Sequence, residues 1–312
     1  MIGAILAGGY GKRLKPITDE IPKALISIKD GQTIMDRQIY DFRNMGISDV
    51  YILSGYLGEK IEERYGKSKD GINFHYFREE KPMGTLYSIR NLFNNIWDQD
   101  IILRNGDTIT DINFQRFIEF SRDSQYRMIM FVSRMRSPFG IVEMFGDQIV
   151  TFKEKPFLDY FINSGLYYIK KEAKEFFFLN YHEKDIETTV FPKMAVAKAI
   201  GAYSEDALWL GIDSEKDLEA IRREYSNRTD TPWGYIKTLY NDSGKGINEY
   251  FIKADQNAPI RVFRKSILRI IQGMGTLNNK TDKIYKEKDI VVVETDITFQ
   301  SMANSKIELI YL

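Results

Sequence analysis

Residues 3–25 read Gly-Ala-Ile-Leu-Ala-Gly-Gly-Tyr-Gly-Lys-Arg-Leu-Lys-Pro-Ile-Thr-Asp-Glu-Ile-Pro-Lys-Ala-Leu. The apolar run from Ile2 to Leu6 predicts a buried strand. It breaks into Gly8, Gly9 and Gly11, followed by Arg13, with a second cation, Lys23, after Pro22. Glycines after a strand let backbone N–H groups come close to an anion. Arginine adds a fork of donors that matches phosphate, and lysine adds a mobile point charge. The stretch is built to hold a polyphosphate. Two familiar phosphate loops fail against it. A P-loop needs Ser or Thr after Gly-Lys, and here Gly11-Lys12 precedes Arg13. A dinucleotide fingerprint counted from Gly9 and Gly11 needs a third glycine where this chain has Leu14.

Outside this loop, the alternation of elements sets the fold class. Asp49 to Leu53, Ile72 to Phe77 and Asp100 to Leu103 read as further strands. Met35, Ile39, Phe42 and Met45 recur at helical spacing between the first two strands, and Leu86, Ile89, Phe93 and Ile96 do so between the last two. Alternating strand and helix predicts a parallel sheet covered on both faces, with ligands bound at the carboxyl ends of its strands. Asn105-Gly106-Asp107 falls at one such end. The middle of the chain predicts strands over 128–132, 140–145, 148–152 and 162–169, and helices near 172–180 and 188–198. A last helix is predicted from Ser214 to about Tyr225, with Ser214 as its N-cap. The polar run 226–232 reads as a linker. Beyond it the pattern is β-only, with strands expected at 250–253, 261–263, 267–271, 290–294 and 306–311, and a turn at Gly273-Met274-Gly275. Two domains follow from this pattern, residues 1–228 and 229–312.

Composition narrows the function. The 312 residues are 43% hydrophobic and 28% charged, with 44 basic and 44 acidic side chains. The zero balance argues against a nucleic-acid or membrane-surface partner. With no cysteine there is no disulfide and no thiolate chemistry. No apolar run approaches a membrane span, and no signal-peptide pattern is visible, so a cytoplasmic protein is expected. The two histidines, His75 and His182, show no metal-ligand spacing and are expected to be structural.

The pattern Leu-Ala-Gly-Gly-x-Gly-x-Arg-Leu-x-Pro-x-Thr, with Pro-Lys after it, resembles the signature loop of the sugar-1-phosphate nucleotidyltransferases, or NDP-sugar pyrophosphorylases. The resemblance covers residues 1 to about 225. It implies a Rossmann-like α/β domain with a mixed, mostly parallel sheet. It assigns nucleotide binding to Leu6, Ala7, Gly8, Gly9, Gly11, Arg13, Lys23, Gly84 and Thr85, and catalysis to Arg13, Lys23 and Asp107. Asp107 is the implied metal ligand. Asp213 is the second, although many members place this acid two residues after the tryptophan, and here it comes four after Trp209. Glu154-Lys155-Pro156 resembles the family's Glu-Lys-Pro motif, and Asn163-Ser164-Gly165 its Asn-x-Gly. With Gly140 they imply a sugar-phosphate site of Gly140, Glu154, Lys155 and Asn163. Residues 79–85 resemble the base-reading segment, where Glu80 could accept from guanine or cytosine. Thr-Pro-Trp-Gly-Tyr-Ile-Lys, 231–237, resembles the beginning of a cupin domain found with mannose-phosphate enzymes. A small, degenerate cupin-like β domain is therefore expected, without metal because it contains no histidine, and serving assembly or control rather than chemistry.

The resemblance implies an enzyme that takes an NTP and a sugar-1-phosphate and releases NDP-sugar and pyrophosphate. The nucleophile is already an anion, so the demand is electrostatic: two polyanions must meet in line while charge is neutralised. Mg²⁺ suits such a site, because it takes one or two carboxylates and completes its shell with phosphate and water. Guanylyl transfer to mannose-1-phosphate or a heptose-1-phosphate is the first expectation. Cytidylyl, thymidylyl and uridylyl transfer stay open, as does a non-catalytic sugar-nucleotide sensor, and a homo-oligomer is expected.

Overall fold

The computed structural model describes residues 1–81, 83–96, 98–278 and 283–311. They cluster into two compact units, one of residues 1–26, 33–109 and 114–213, the other of residues 27–32, 110–113 and 214–312.

The first unit is built on an eight-stranded sheet. Its order is Ile200–Tyr203, Met128–Arg136, Phe157–Ile169, Ile101–Asn105, Ile2–Ala7, Asp49–Ser54, Ile72–Arg78 and Ser68–Lys69. Ile2–Ala7 lies parallel to both its neighbours, and Asp49–Ser54 lies parallel to Ile72–Arg78. Phe157–Ile169 runs antiparallel to the strands on either side of it. The sheet is thus mixed and mostly parallel, as expected. Continuous apolar runs make its centre: Ala4, Ile5, Ile52 and Ile102 have no exposed surface, as strands covered on both faces require. Helix Thr85–Asn95 lays Leu86, Ile89, Leu92 and Phe93 on one such core. Helix Ile34–Asn44 starts at a reciprocal cap between Thr33 and Asp36. It sits so close that a Cβ at Gly3 would lie 2.8 Å from the Phe42 ring. Helices Gly58–Tyr65 and Phe114–Asp123 add to the unit without having been read from the sequence.

Among its described residues the second unit is antiparallel β with one α-helix. One sheet has the order Arg228–Thr231, Gly234–Asp242, Lys245–Ile252, Ser305–Tyr311, Ser266–Gln272, Ile290–Val293, and the other Asn257–Ile260, Ile297–Ser301, Met274–Leu277, Tyr285–Lys286. Their facing side chains share one core, with Ile252, Leu268 and Ile307 from the first sheet and Ala258, Leu277 and Phe299 from the second. Helix Glu215–Tyr225 begins at Ser214, whose hydroxyl caps the Asp217 amide, as the sequence predicts.

Three expectations are corrected here. The run 226–232 is not a linker, because Arg228–Thr231 is a strand paired to Gly234–Asp242. Its polarity misleads: the Arg228 guanidinium is buried, donating to both Asp111 oxygens at 2.9 and 2.7 Å and to Asp230 at 2.8 Å, and it stacks against Tyr225 and Tyr235. Residues 261–263 form no strand, because the Val262 amide goes to the Asp296 carboxylate, and Asn257–Ile260 pairs in their place. Met274 and Gly275 belong to a strand rather than a turn. Gly275 is small because a Cβ there would strike the Phe299 ring and the Gln300 carbonyl.

Candidate functional site

The two central parallel strands end side by side, with Leu6 opposite Asn105. The chain then turns through Gly106, whose amide donates to the Leu6 carbonyl at 2.8 Å. A Cβ on Gly106 would lie 2.6 Å from that oxygen, so this approach excludes every other residue. Asp107 is thereby set beside the mouth of the glycine loop. Its own carbonyl accepts from the Ile212 amide at 3.0 Å, which brings the next residue, Asp213, alongside.

The loop closes on itself. Gly11 takes a φ of +61°, and its carbonyl accepts from the Leu14 amide at 2.8 Å and the Thr18 hydroxyl at 2.9 Å. A Cβ at Gly11 would lie 2.8 Å from Thr18, so the turn is closed to larger residues. Leu14, fully buried, anchors the short helical turn that carries Arg13. Arg13 Nη2 then reaches Asp213 Oδ1 at 3.0 Å. Lys23 Nζ reaches Asp107 Oδ2 at 2.7 Å and the same Asp213 oxygen at 3.0 Å. Four residues from widely separated points of the chain thus form one cluster of two cations and two carboxylates. Lys23 is largely covered, while Arg13 stands three-quarters exposed.

The residues assigned to the sugar form two groups. Asn163 Oδ1 accepts from the Gly165 amide at 3.1 Å and the Tyr167 hydroxyl at 2.9 Å, which fixes the side chain and presents its NH₂ end. Gly165, at φ +70°, packs on the Asn105 side chain, and Trp209 Nε1 donates to the Ser164 carbonyl at 2.8 Å. Burial first, then the charges of Glu187 and Asp107, pushes the Tyr167 hydroxyl well above its ordinary range. The second group, Gly140, Glu154 and Lys155, sits at the base of the hairpin Ile141–Phe145 and Gln148–Lys153. Lys155 holds a φ of +46°, its ammonium lies 3.6 Å from Glu154, and its carbonyl accepts from Arg136 at 3.1 Å. A Cβ at Gly140 would lie 2.6 Å from the Phe152 ring and 3.1 Å from Glu154. Among the described residues no hydrogen bond or ion pair joins this group to the Arg13–Lys23–Asp107–Asp213 cluster.

Residues 79–85, which the resemblance assigns to the base, are braced by residues 184–187. Gly84 has a φ of +92° and lies against Lys184. The Leu86 amide donates to the Lys184 carbonyl at 2.9 Å. Thr85 Oγ1 accepts from the Ile186 amide at 3.0 Å and lies 3.4 Å from Glu187. Burial raises the Glu187 carboxyl above its usual range. Glu79 is a brace, accepting from the Met83 amide at 2.9 Å and from Ser88, and Pro82 of this segment lies outside the described residues. Nothing in the sequence around Glu187 distinguishes it from other acids. His75 is spoken for by Asp49 at 3.0 Å and by stacking on Tyr51.

Among the described residues, no group of three or more histidines or acids stands close enough to hold a metal by itself. Asp107 and Asp213 nevertheless converge on one point, the Lys23 ammonium. Two carboxylates converging on one cation suit a hard divalent ion whose other ligands are phosphate oxygens and water.

A sequence model of the family described as nucleotidyl transferase matches residues 2–228. Among curated proteins, the chain is 28% identical over 229 residues to the D-glycero-alpha-D-manno-heptose 1-phosphate guanylyltransferase of Aneurinibacillus thermoaerophilus, covering 72% of this chain and 98% of that protein. It is 28% identical over 261 residues to the mannose-1-phosphate guanylyltransferase catalytic subunit beta of Xenopus tropicalis, covering 78% and 71%. Of solved structures, HddC from Yersinia pseudotuberculosis superposes with a TM-score of 0.56 at 24% identity, over 72% of this chain and all of that one. A UDP-glucose pyrophosphorylase bound to UDP-glucose gives 0.58 at 17%, over 72% of this chain and 99% of that one. At these identities the structural likeness speaks for the fold.

Proposed function

The chain belongs to the nucleotidyl transferase family, and from that premise we propose that it joins a sugar-1-phosphate to the α-phosphorus of a nucleoside triphosphate and releases pyrophosphate. The observation that carries this reading is the convergence of Arg13, Lys23, Asp107 and Asp213 where the two central strands end. The sugar phosphate oxygen attacks the α-phosphorus, the bond from that phosphorus to the pyrophosphate oxygen breaks, and the negative charge that the nucleophile gives up grows on the leaving pyrophosphate. The glycine loop offers backbone N–H groups to the triphosphate, and exposed Arg13 is placed to meet its outer phosphates. Lys23, held between the two acids, is placed to turn its ammonium to the phosphates once those carboxylates are engaged elsewhere. Asp107 and Asp213 would hold Mg²⁺, which when bound neutralises phosphate charge and aligns the reacting groups.

For the base, guanine is the first choice, supported by the two curated relatives, both named as guanylyltransferases. For the sugar, mannose-1-phosphate and a heptose-1-phosphate rank first on the same ground. Asn163, Glu154 and Lys155 would take its hydroxyls and phosphate. The test is a pyrophosphate-release assay of five NTPs crossed against a panel of sugar-1-phosphates, with Mg²⁺ present. Turnover with GTP and one of the two favoured sugars is the expected result. Binding of nucleotide sugar without turnover for any pair would overturn the enzyme reading in favour of a sensor.

Lys155→Ala tests the division of labour. It is expected to raise the KM for the sugar phosphate about tenfold and to leave the KM for NTP near normal, since loss of one charge-assisted bond is felt only by its partner. Lys23→Ala is expected to act mainly on kcat and on the NTP. Steady-state kinetics with each substrate varied in turn decides the matter, and equal effects of the two substitutions on both substrates would defeat the assignment.

A further inference from the structure

We propose that Gln38 is a positioning residue that sets the aim of Asp107 by clamping the turn on which it stands. This rests on the reading of Asp107 as part of the reacting site. Gln38 lies one turn into helix Ile34–Asn44 and has no exposed surface. Its Nε2 donates to the Asn105 carbonyl at 2.8 Å and to the Thr108 carbonyl at 2.8 Å. These are the two ends of the four-residue turn Asn105-Gly106-Asp107-Thr108. Both hydrogens of one amide therefore bracket Gly106-Asp107.

The other end of the same amide is left over. Gln38 Oε1 is buried with no hydrogen-bond partner among the described residues. A flipped amide would set that oxygen against two carbonyl oxygens, so the orientation is forced. A buried acceptor without a donor costs stability, and the amide that carries it is kept where its other end serves the Asn105 and Thr108 carbonyls. A local rule broken in a core is expected where function compensates for it.

The helix is itself locked to the strand that leads into the turn. Arg104, the residue before Asn105, donates to Asp41 at 2.7 Å, and Asp41 also takes the Arg37 guanidinium. Thr108 adds a bond from its own hydroxyl back to the Asn105 carbonyl at 3.2 Å. Gln38 thus joins a rigid element to a turn whose carboxylate must be held within a few tenths of an ångström of its place. Outer partners of this kind typically govern activity by ten- to a hundredfold.

The test uses the full chain and two substitutions that separate clamping from packing. Gln38→Met keeps length and loses both donors, whereas Gln38→Asn keeps the amide and loses a methylene. Three quantities are read: pyrophosphate-release kinetics, melting temperature, and hydrogen exchange of a peptide spanning residues 103–110. For Gln38→Met, kcat is expected to fall about ten- to a hundredfold with the KM for the sugar phosphate within about twofold. Exchange in the 103–110 peptide should quicken about tenfold while melting stays at or above that of Gln38→Asn. Gln38→Asn should melt lower yet turn over faster than Gln38→Met. Wild-type turnover in Gln38→Met, or activity that follows melting with Asn the worse of the two, would overturn the clamp. If the wild-type chain turns over no substrate pair, the catalytic reading falls. The exchange arm still decides the clamp: unaltered exchange at 103–110 in Gln38→Met overturns it.

Discussion

Asp107→Asn is expected to cut turnover about a hundred- to a thousandfold while the melting temperature stays put. Asparagine keeps the shape of the side chain, and the backbone of the turn is held by the Gly106 amide on the Leu6 carbonyl and the Ile212 amide on the Asp107 carbonyl, not by the carboxylate. What it loses is charge. Lys23 keeps Asp213 as a partner at 3.0 Å, so the lysine stays covered and the fold is not strained. On the proposed mechanism Asp107 and Asp213 would together hold Mg²⁺, and the substitution would leave one anionic ligand where there were two, weakening the charge neutralisation that the ion would supply. Kinetics across a Mg²⁺ titration, with a melting curve beside it, measures this. Near-normal kcat at saturating Mg²⁺ would remove Asp107 from the reaction. Asp213→Asn, read the same way, tests whether the acid four residues after Trp209 has taken over the second ligand's role.

The largest effect on stability is expected in the second unit. Arg228→Met should destabilise it by about 3–5 kcal/mol, because removing one member of a buried ion group leaves the rest uncompensated. Arg228 holds both oxygens of buried Asp111 and one of Asp230, and the negative charge of those acids raises its own pKa despite burial. Without the guanidinium, the Asp111 carboxyl should titrate above its unfolded value. The variant would then bind more protons folded than unfolded, so its stability should rise as pH falls. Urea unfolding at pH 5 and pH 8 measures both the loss and its sign. A loss under about 1 kcal/mol, or one that deepens toward acid pH, would show that methionine replaces the network.

What the sequence made legible followed from physics that acts locally. The central strands were readable because burial on both faces demands unbroken apolar runs, as in Ile101 to Leu103. The helix at 215–225 was readable because its cap is written in Ser214 and Asp217. Arg13, Lys23, Asp107 and Asp213 were chosen from motifs, and the fold does bring them together. Gln38 and Glu187 were invisible because their significance lies in what the fold sets opposite them, two carbonyls in one case and Thr85 in the other. Arg228 was misread for the same reason. A lone arginine in a polar run looks solvated until Asp111 is known to face it from 117 positions earlier.

That separation also has a meaning in time. The second unit takes residues 27–32 and 110–113 from within the first. Asp111 must wait for Arg228, and the Asn113 side chain for the Ala254 carbonyl, 141 positions on. At the pace of translation, the first of these delays is on the order of 10 s. Every residue of the first unit, which ends at Asp213, is synthesised before Arg228. A chain cut near that point has every strand of the eight-stranded sheet but lacks the partners of Asp111 and Asn113. The second unit cannot be expressed from residues 214–312 as a self-sufficient fragment, because part of its interior is encoded a hundred residues upstream.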